Sequence, residues 1–250
     1  MTKHNNHDIC GFSFFNSDYR HLIEVIDNSI KTNKSCAIVT PTTEIIGATF
    51  KNKSLADLIK SADILLPDSI TLVKLGMLFG KDIPERVTGV DTLYKLGQNP
   101  NNTYKVYYLG SRQDVILKTV ENTKKLLPSF EIVGHHHGYF TEQEYTEIIA
   151  DINKSKPDIL FVGLGFPKQE KFIIDNKSIL KIPIKITVGG SFDVIAGILK
   201  RAPKWMQNLG LEWAFRLIQE PNRLFRMSKI PFHLIKMYFK ELNISKRIKT

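Results

Sequence analysis

Short apolar runs alternate with longer stretches of i, i+3, i+4 apolar spacing along most of the chain. SCAIVT (35–40), DILLPD (63–68), KVYYLG (105–110), FEIVGHHHGYF (130–140), PDILFVGLG (157–165) and IKITVGGSF (184–192) read as strands, several running into a turn. KSLADLIKSA (53–62), ITLVKLGMLFG (70–80), VDTLYKLGQ (90–98), DVILKTVENTKKLLP (114–128) and TEQEYTEIIADINKS (141–155) read as helices. Strands that alternate with helices of this length pair in parallel through right-handed crossovers, so the predicted class is α/β with a doubly wound, mainly parallel sheet.

In such sheets ligands bind at the carboxyl ends of the strands. The residues that follow each predicted strand are polar or glycine. They are Thr40 with Pro41, Thr42, Thr43 and Glu44; Asp68 and Ser69; Gly110, Ser111 and Arg112; His135 to Tyr139; Gly163 to Glu170; and Gly189, Gly190, Ser191 and Asp193. Glycine-backed amides beside a carboxylate, a glutamine and a lysine suit a nucleotide-linked substrate better than an apolar metabolite.

Within GLGFPKQEKF (163–172), Gly163 and Gly165 let the backbone turn close to a ligand, and Pro167 is expected in the first helical turn. Gln169 is expected to project its amide into the site, and Lys168 to lie at the helix start beside it.

Several chemistries are excluded or weakened. No Gly-x-x-x-x-Gly-Lys-[Ser/Thr] occurs, which argues against an ATPase, and the missing third glycine of GxGxxG weakens a dehydrogenase or a sugar-nucleotide epimerase. His135, His136 and His137 in an extended segment point to alternate faces, so at most two share an ion; loop packing or substrate contact is the expected role. Asp-x-Asp is absent, so a transferase here is expected to work without a divalent ion. Cys10 and Cys36 form no metal or disulfide framework, which fits a reducing cytoplasm. The polar start has no apolar leader and no stretch reaches the ~20 apolar residues of a spanning helix, so a soluble or peripheral protein is expected.

Charge sharpens this picture by its location. Of the net +10, residues 200–250 carry twelve Lys and Arg against three Glu, a balance of +9, while the first 199 residues are close to neutral. The expected division is a catalytic core over 1–199 and a basic helical appendage over 200–250. Such a segment attracts phosphate on lipid, substrate or nucleic acid. A basic nucleic-acid-binding module is the alternative function, yet no stacking or major-groove motif accompanies the charge, so no nucleic-acid partner is expected.

GLGFPKQE, LPDSITLVKLGMLFGKDIPERVTGVD, GSFDVIAGILKRAPKWMQNLGLEWAFRLIQEPNRLFR and the turn GHHHGYF together resemble the WecG/TagA/CpsF family of bacterial glycosyltransferases over roughly residues 8–228. The resemblance implies a Rossmann-like fold and metal-independent, inverting transfer of N-acetylmannosamine or a related sugar. The donor is a UDP-sugar, as substrate rather than cofactor, and the acceptor a polyprenyl-diphosphate-linked amino sugar at the inner face of the cytoplasmic membrane, in cell-wall or surface polysaccharide synthesis. It implies Asp68 as general base with Thr40 beside it, and Gln169 in the site. Tyr139 and Asp193 fall around the nucleotide, while Arg216, Arg223 and Arg226 fall on a diphosphate. The chain departs from the family's pattern where Thr42 or Thr43 replaces Asn and Ser69 replaces Gly. An inverting transfer needs a base at the acceptor hydroxyl and a cation at the departing UDP, and Asp68 and the arginines suit these tasks. An alternative role for Asp68 is the N-cap of the helix beginning near Ile70.

In KIPFHLIKMYFKEL (229–242), Lys229, His233, Lys236 and Lys240 fall on one helical face, with Ile230, Leu234, Met237, Tyr238, Phe232, Ile235, Phe239 and Leu242 around the remainder. This is the pattern of an interfacial helix on an anionic membrane surface; packing on the protein's own body, or on a second subunit in a homo-oligomer, is the alternative.

Overall fold

The computed structural model describes residues 6–16, 18–221, 224 and 228–248. In chain order the elements are β1 (Asn6–Ile9), β2 (Phe12–Phe15), α1 (Tyr19–Lys31), β3 (Cys36–Val39), α2 (Thr43–Thr49), α3 (Lys53–Lys60), β4 (Ile64–Leu65), α4 (Ile70–Leu78), α5 (Gly89–Gly97) and β5 (Tyr104–Gly110). There follow α6 (Gln113–Leu126), β6 (Phe130–His136), α7 (Glu142–Ser155), β7 (Ile159–Gly163), α8 (Lys168–Asp175), β8 (Ile184–Thr187), α9 (Ser191–Ile195), α10 (Lys204–Leu209), α11 (Glu212–Gln219) and α12 (Ile230–Ile248). The chain forms two compact units. One holds residues 19–39 and 89–200, the other residues 1–18, 40–88 and 201–250, so the basic C-terminal stretch belongs to the same unit as Asp68.

In the unit spanning 19–39 and 89–200, five strands run parallel in the order β3-β8-β7-β5-β6. The period of two sorts their side chains. Tyr107, Leu109, Leu160 and Val162 join Ile148, Ile149 and Ile152 of α7 and Phe172 and Ile173 of α8 in one buried cluster. Tyr108 and Phe161 point the other way and stack edge-on at 5.9 Å, with the Phe192 ring of α9 at 5.1 Å from Tyr108. On that side Thr119 and Asn122 of α6 donate to the Phe192 and Ile195 carbonyls, tying α6 to α9. Both faces are covered, which is why these strands are near-continuous apolar runs and why the sheet is parallel. The fold is the α/β, doubly wound arrangement that the alternation predicts.

The second unit begins with a hairpin. Ile9 pairs with Phe12, leaving Cys10 and Gly11 as a two-residue turn with φ of 55° and 81°. Positive φ at both central positions matches the twist of the flanking strands. α12 lies on α2. Its buried face carries Ile230, Met237 and Glu241, and the His233 ring packs so closely on Gly47 that a Cβ there would overlap it. His233 therefore leaves the basic stripe expected of it, because Gly47 opens a slot that an imidazole fills, while Lys229 and Lys240 remain exposed. Glu241 accepts from the Cys10 amide at 2.6 Å and pairs with Lys81, whose ammonium also donates to the Asp8 carbonyl.

Candidate functional site

In the first unit the strand ends carry a rim of glycines packed against one another. A Cβ on Gly110 would collide with the Gly163 carbonyl, and one on Gly163 would lie 2.7 Å from the Gly189 carbonyl, so these turns admit no side chain. Backbone bonds fix their order: Ser111 N–H donates to Gly163 O, Gly138 N–H to Ser111 O at 2.8 Å, and Val188 N–H to Val162 O at 2.8 Å. Gly165 has φ of 75° with open space where a Cβ would stand, so it is conformation rather than crowding that calls for glycine there.

Gln169 is 3% exposed. Its Oε1 accepts from Gly189 N–H at 3.1 Å, and its Nε2 donates to the fully buried Glu170 carboxylate at 2.8 Å. Both ends of the amide are thus engaged within the protein, and the side chain holds the Gly189 turn in place. Pro167 occupies the cap position of α8, and Lys168, its first residue, is exposed. Tyr139 is 75% exposed and Asp193 is half-buried. Arg112 donates to both oxygens of Asp114, which raises its own pKa and lowers that of Asp114; the charge of Asp193 adds to the effect on Arg112.

The three histidines end a strand and enter a turn. His137 Nδ1 accepts from the Tyr139 amide at 3.2 Å, and the His136 and His137 rings lie 4.5 Å apart. Burial lowers the pKa of His135. Among the described residues no group of three His, Cys, Asp or Glu is placed to hold a metal ion.

In the second unit Asp68 sits half-buried in the turn between β4 and α4, its amide donating to Leu66 O at 2.9 Å. The cap position of α4 belongs to Ser69 and not to Asp68. The Ser69 hydroxyl does not bond the helix amides. It joins Thr43 at 2.8 Å and Thr71 at 2.6 Å, and Thr43 lies 2.5 Å from Thr71, which closes a ring of three hydroxyls. Three donors and three bonds satisfy one another when all donate in the same sense. Thr40 is buried, and Thr42 caps α2.

A second cluster of this unit brings two arginines together. Arg86 donates to Glu212 Oε2 at 2.8 Å and to Gln207 Oε1 at 3.0 Å, while Arg201 donates to the same Gln207 oxygen at 3.2 Å and pairs with Glu212 Oε1 at 3.3 Å. Gln207 is turned this way by its own Nε2, which donates to Ala202 O at 2.7 Å. Both guanidiniums are thus gathered on the same carboxylate and the same amide oxygen. Arg216 Nε bonds Glu220 at 2.8 Å along α11. Arg223 and Arg226 lie outside the described residues.

Reading the sequence does not single out Arg86, Gln207 or Glu212, and it offers Arg201 only as an ion-pair partner for the charged residues of the α8 start. Both arginines stand inside segments that carry the family resemblance, but nothing in either segment announces that they meet.

Comparison with known proteins gives a consistent result. The model of the glycosyl transferase WecG/TagA/CpsF family matches residues 7–247. The N-acetylglucosaminyldiphosphoundecaprenol N-acetyl-beta-D-mannosaminyltransferase of Bacillus subtilis (strain 168) is 33% identical over 232 residues, covering 92% of this chain and 90% of the relative. Its namesake in Bacillus spizizenii is 34% identical over 220 residues, covering 87% and 85%. That of Staphylococcus aureus (strain MW2) is 29% identical over 233 residues, covering 92% and 91%.

Proposed function

Because the chain belongs to the WecG/TagA/CpsF family of glycosyl transferases, we propose that it moves N-acetylmannosamine from a UDP donor to the N-acetylglucosamine of a polyprenyl-diphosphate acceptor, with inversion and without a bound divalent ion. The observation that carries this reading is the pair Arg86 and Arg201 gathered on Glu212 and Gln207. Two guanidiniums gathered on Glu212 and Gln207 form a preorganised pair of planar forks, and a diphosphate is the anion whose paired oxygens match such forks.

The proposed reaction runs in one displacement. The acceptor hydroxyl oxygen attacks the anomeric carbon of the donor as the Asp68 carboxylate takes its proton, and the bond to the UDP oxygen breaks with the electron pair leaving on the diphosphate. The arginines stabilise that charge as it develops, a task given elsewhere to a metal ion. In the other unit the glycine rim offers backbone amides to a phosphate or a ribose, and Gln169 acts as a positioning residue by holding the Gly189 turn. Thr40 and the hydroxyl ring beside Asp68 orient the polar end of the acceptor. Tyr139, Asp193 and Lys168 contribute to the nucleotide site, and Arg216 assists on the diphosphate.

We also place the enzyme at the inner face of the cytoplasmic membrane, where a polyprenyl acceptor is found. No helix among the described residues is long and apolar enough to cross a membrane. The exposed Phe232, Ile235 and Phe239 on a lysine-bearing helix support peripheral association.

The test is incubation with a panel of UDP-sugars and a short-chain polyprenyl-diphosphate N-acetylglucosamine, in the presence of a chelator. UDP release with a mass gain of one N-acetylhexosamine on the lipid is expected from UDP-N-acetylmannosamine. Transfer that stops on chelation would overturn the metal-independent route, and transfer of another sugar would correct the donor.

A further inference from the structure

In the unit that carries Asp68, the end of α2 and one flank of α12 enclose an open groove of about 520 Å³ lined by Phe50, Lys236, Lys240, Asn243 and Ile244. Aromatic rings hold the ammonium groups around it. Lys240 stands 4.4 Å from the Phe50 centroid and 6.0 Å from that of Phe12, Lys60 stands 5.3 Å from Phe12, and Lys236 lies 4.2 Å over Phe232. A ring face orients an ammonium without neutralising it. Among the described residues none of these three lysines has a carboxylate partner; Glu241, adjacent in sequence to Lys240, is turned into the core on Lys81 and the Cys10 amide.

The two like charges of Lys236 and Lys240 in the groove, with the Asn243 amide beside them, are relieved by an anion that accepts several hydrogen bonds. A phosphate is that class of ligand. Its source follows from the next strip of the helix. At about 100° per residue, Phe232, Ile235 and Phe239 border the flank of Lys236, Lys240 and Asn243. All three are more than half exposed, at 54%, 56% and 58%. The Tyr238 ring continues this apolar surface to Phe79, 5.5 Å away, beside the exposed Met77 and Leu78 of α4. A cationic groove edged by apolar side chains matches a phosphate that carries acyl chains, not one dissolved in water.

We propose that this groove is a headgroup site for an anionic phospholipid, with the phosphodiester held by Lys236, Lys240 and Asn243 and the acyl region entered by Phe232, Ile235 and Phe239. The inference rests on the peripheral membrane reading above and adds a defined site to it.

The experiment uses the full chain in flotation with vesicles of phosphatidylcholine alone or with about 30 mol % phosphatidylglycerol. Binding to the anionic vesicles is expected, with about a fivefold loss in Lys236→Gln or Lys240→Gln and about a thirtyfold loss in the double variant. Lys118→Gln with Lys124→Gln, which removes the same charge from α6, is expected to lose little. Equal losses in the two double variants, or equal binding to both vesicle types, would overturn the site. Millimolar inorganic phosphate that strips the protein from vesicles would assign the groove to free phosphate and overturn the lipid. A Phe232→Ser/Phe239→Ser variant that turns a dimer into a monomer in sedimentation, with vesicle binding intact, would assign the strip to a second copy of the chain. Transfer to a water-soluble acceptor analogue is expected to be unchanged in Lys236→Gln/Lys240→Gln. Its absence in the unsubstituted protein would count against the proposed reaction and leave the headgroup site to stand or fall on flotation.

Discussion

The Thr43 and Ser69 hydroxyls lie 2.8 Å apart, which ties the start of α2 to the cap position of α4. Each supplies the other's hydrogen-bond partner, and Thr71 closes the ring. Thr43→Val and Ser69→Ala should each cost about 1 kcal/mol. A double-mutant cycle by urea denaturation should show a coupling of at least about 0.5 kcal/mol. Strict additivity would mean that the hydroxyls do not act together.

Asp68→Asn keeps the shape of the side chain and removes its basicity. Turnover should fall by about 10²- to 10⁴-fold. Protection from thermal unfolding by UDP should be unchanged, because the base is not assigned to nucleotide binding. Weakened UDP protection with turnover intact would reverse the assignment.

Arg86→Ala removes one guanidinium of the pair and leaves Arg201 to hold Glu212 alone. UDP affinity should drop by about tenfold or more, the loss expected for a charge-assisted bond. Arg86→Lys should rescue little, because an ammonium cannot address Glu212 and Gln207 together and still present a fork to a diphosphate. Isothermal titration with UDP distinguishes the three proteins.

Gln169→Leu leaves the Gly189 amide and the buried Glu170 carboxylate without the bonds they share with Gln169. A loss of about 1 to 3 kcal/mol in unfolding free energy is expected. The accompanying change in kinetics should include a raised KM for the donor, since the Gly189 turn is released.

Stability should fall toward both ends of the pH scale, for separate reasons. Burial, then the charge of Glu241, pushes the Cys10 thiol from 9.0 up to about 12. Burial, then the bond to Asp27, pushes Tyr104 from 10.0 up to about 12. The folded state holds these protons more tightly, so their contribution is complete below about pH 9 and is lost toward pH 12, with a limiting slope of about 1.4 kcal/mol per pH unit per group. His135 and His233 are shifted the other way from 6.5, chiefly by burial. Their contribution is complete above pH 6.5 and is lost as pH falls through the folded-state values. Urea midpoints measured from about pH 5 to about pH 11 should therefore peak on the neutral plateau.

The parallel core was legible because its strands are buried on both faces, so apolar runs and helical spacing carried the whole signal. The hairpin of β1 and β2 was not, since Cys10–Gly11 is an unusual pair for a two-residue turn and is held by Glu241 from the far end of the chain. Periodicity set His233 with the lysines of α12, and only the presence of Gly47 on a neighbouring helix turns it inward. For Gln169 the expectation was an amide projecting into the sugar site, but the next residue, Glu170, is a buried carboxylate that takes one end of it. The arginine pair was hidden in the same way: pattern reports which face a residue takes, whereas Arg86 and Arg201 meet through a glutamine and a glutamate whose orientations are set by tertiary packing.

The bond from Glu241 to the Cys10 amide also bears on biosynthesis. Synthesis makes the hairpin 231 residues before its anchoring carboxylate, so the turn at Cys10 gains this bond only after everything between them has been made. Residues 19–39 and 89–200 share one unit, whereas the unit assembled from 1–18, 40–88 and 201–250 gains α12 only when the third of its segments has been made. Before α12 is made the hairpin already has β4 and α4 to pack on, and what it lacks is the bond that fixes the Cys10 turn.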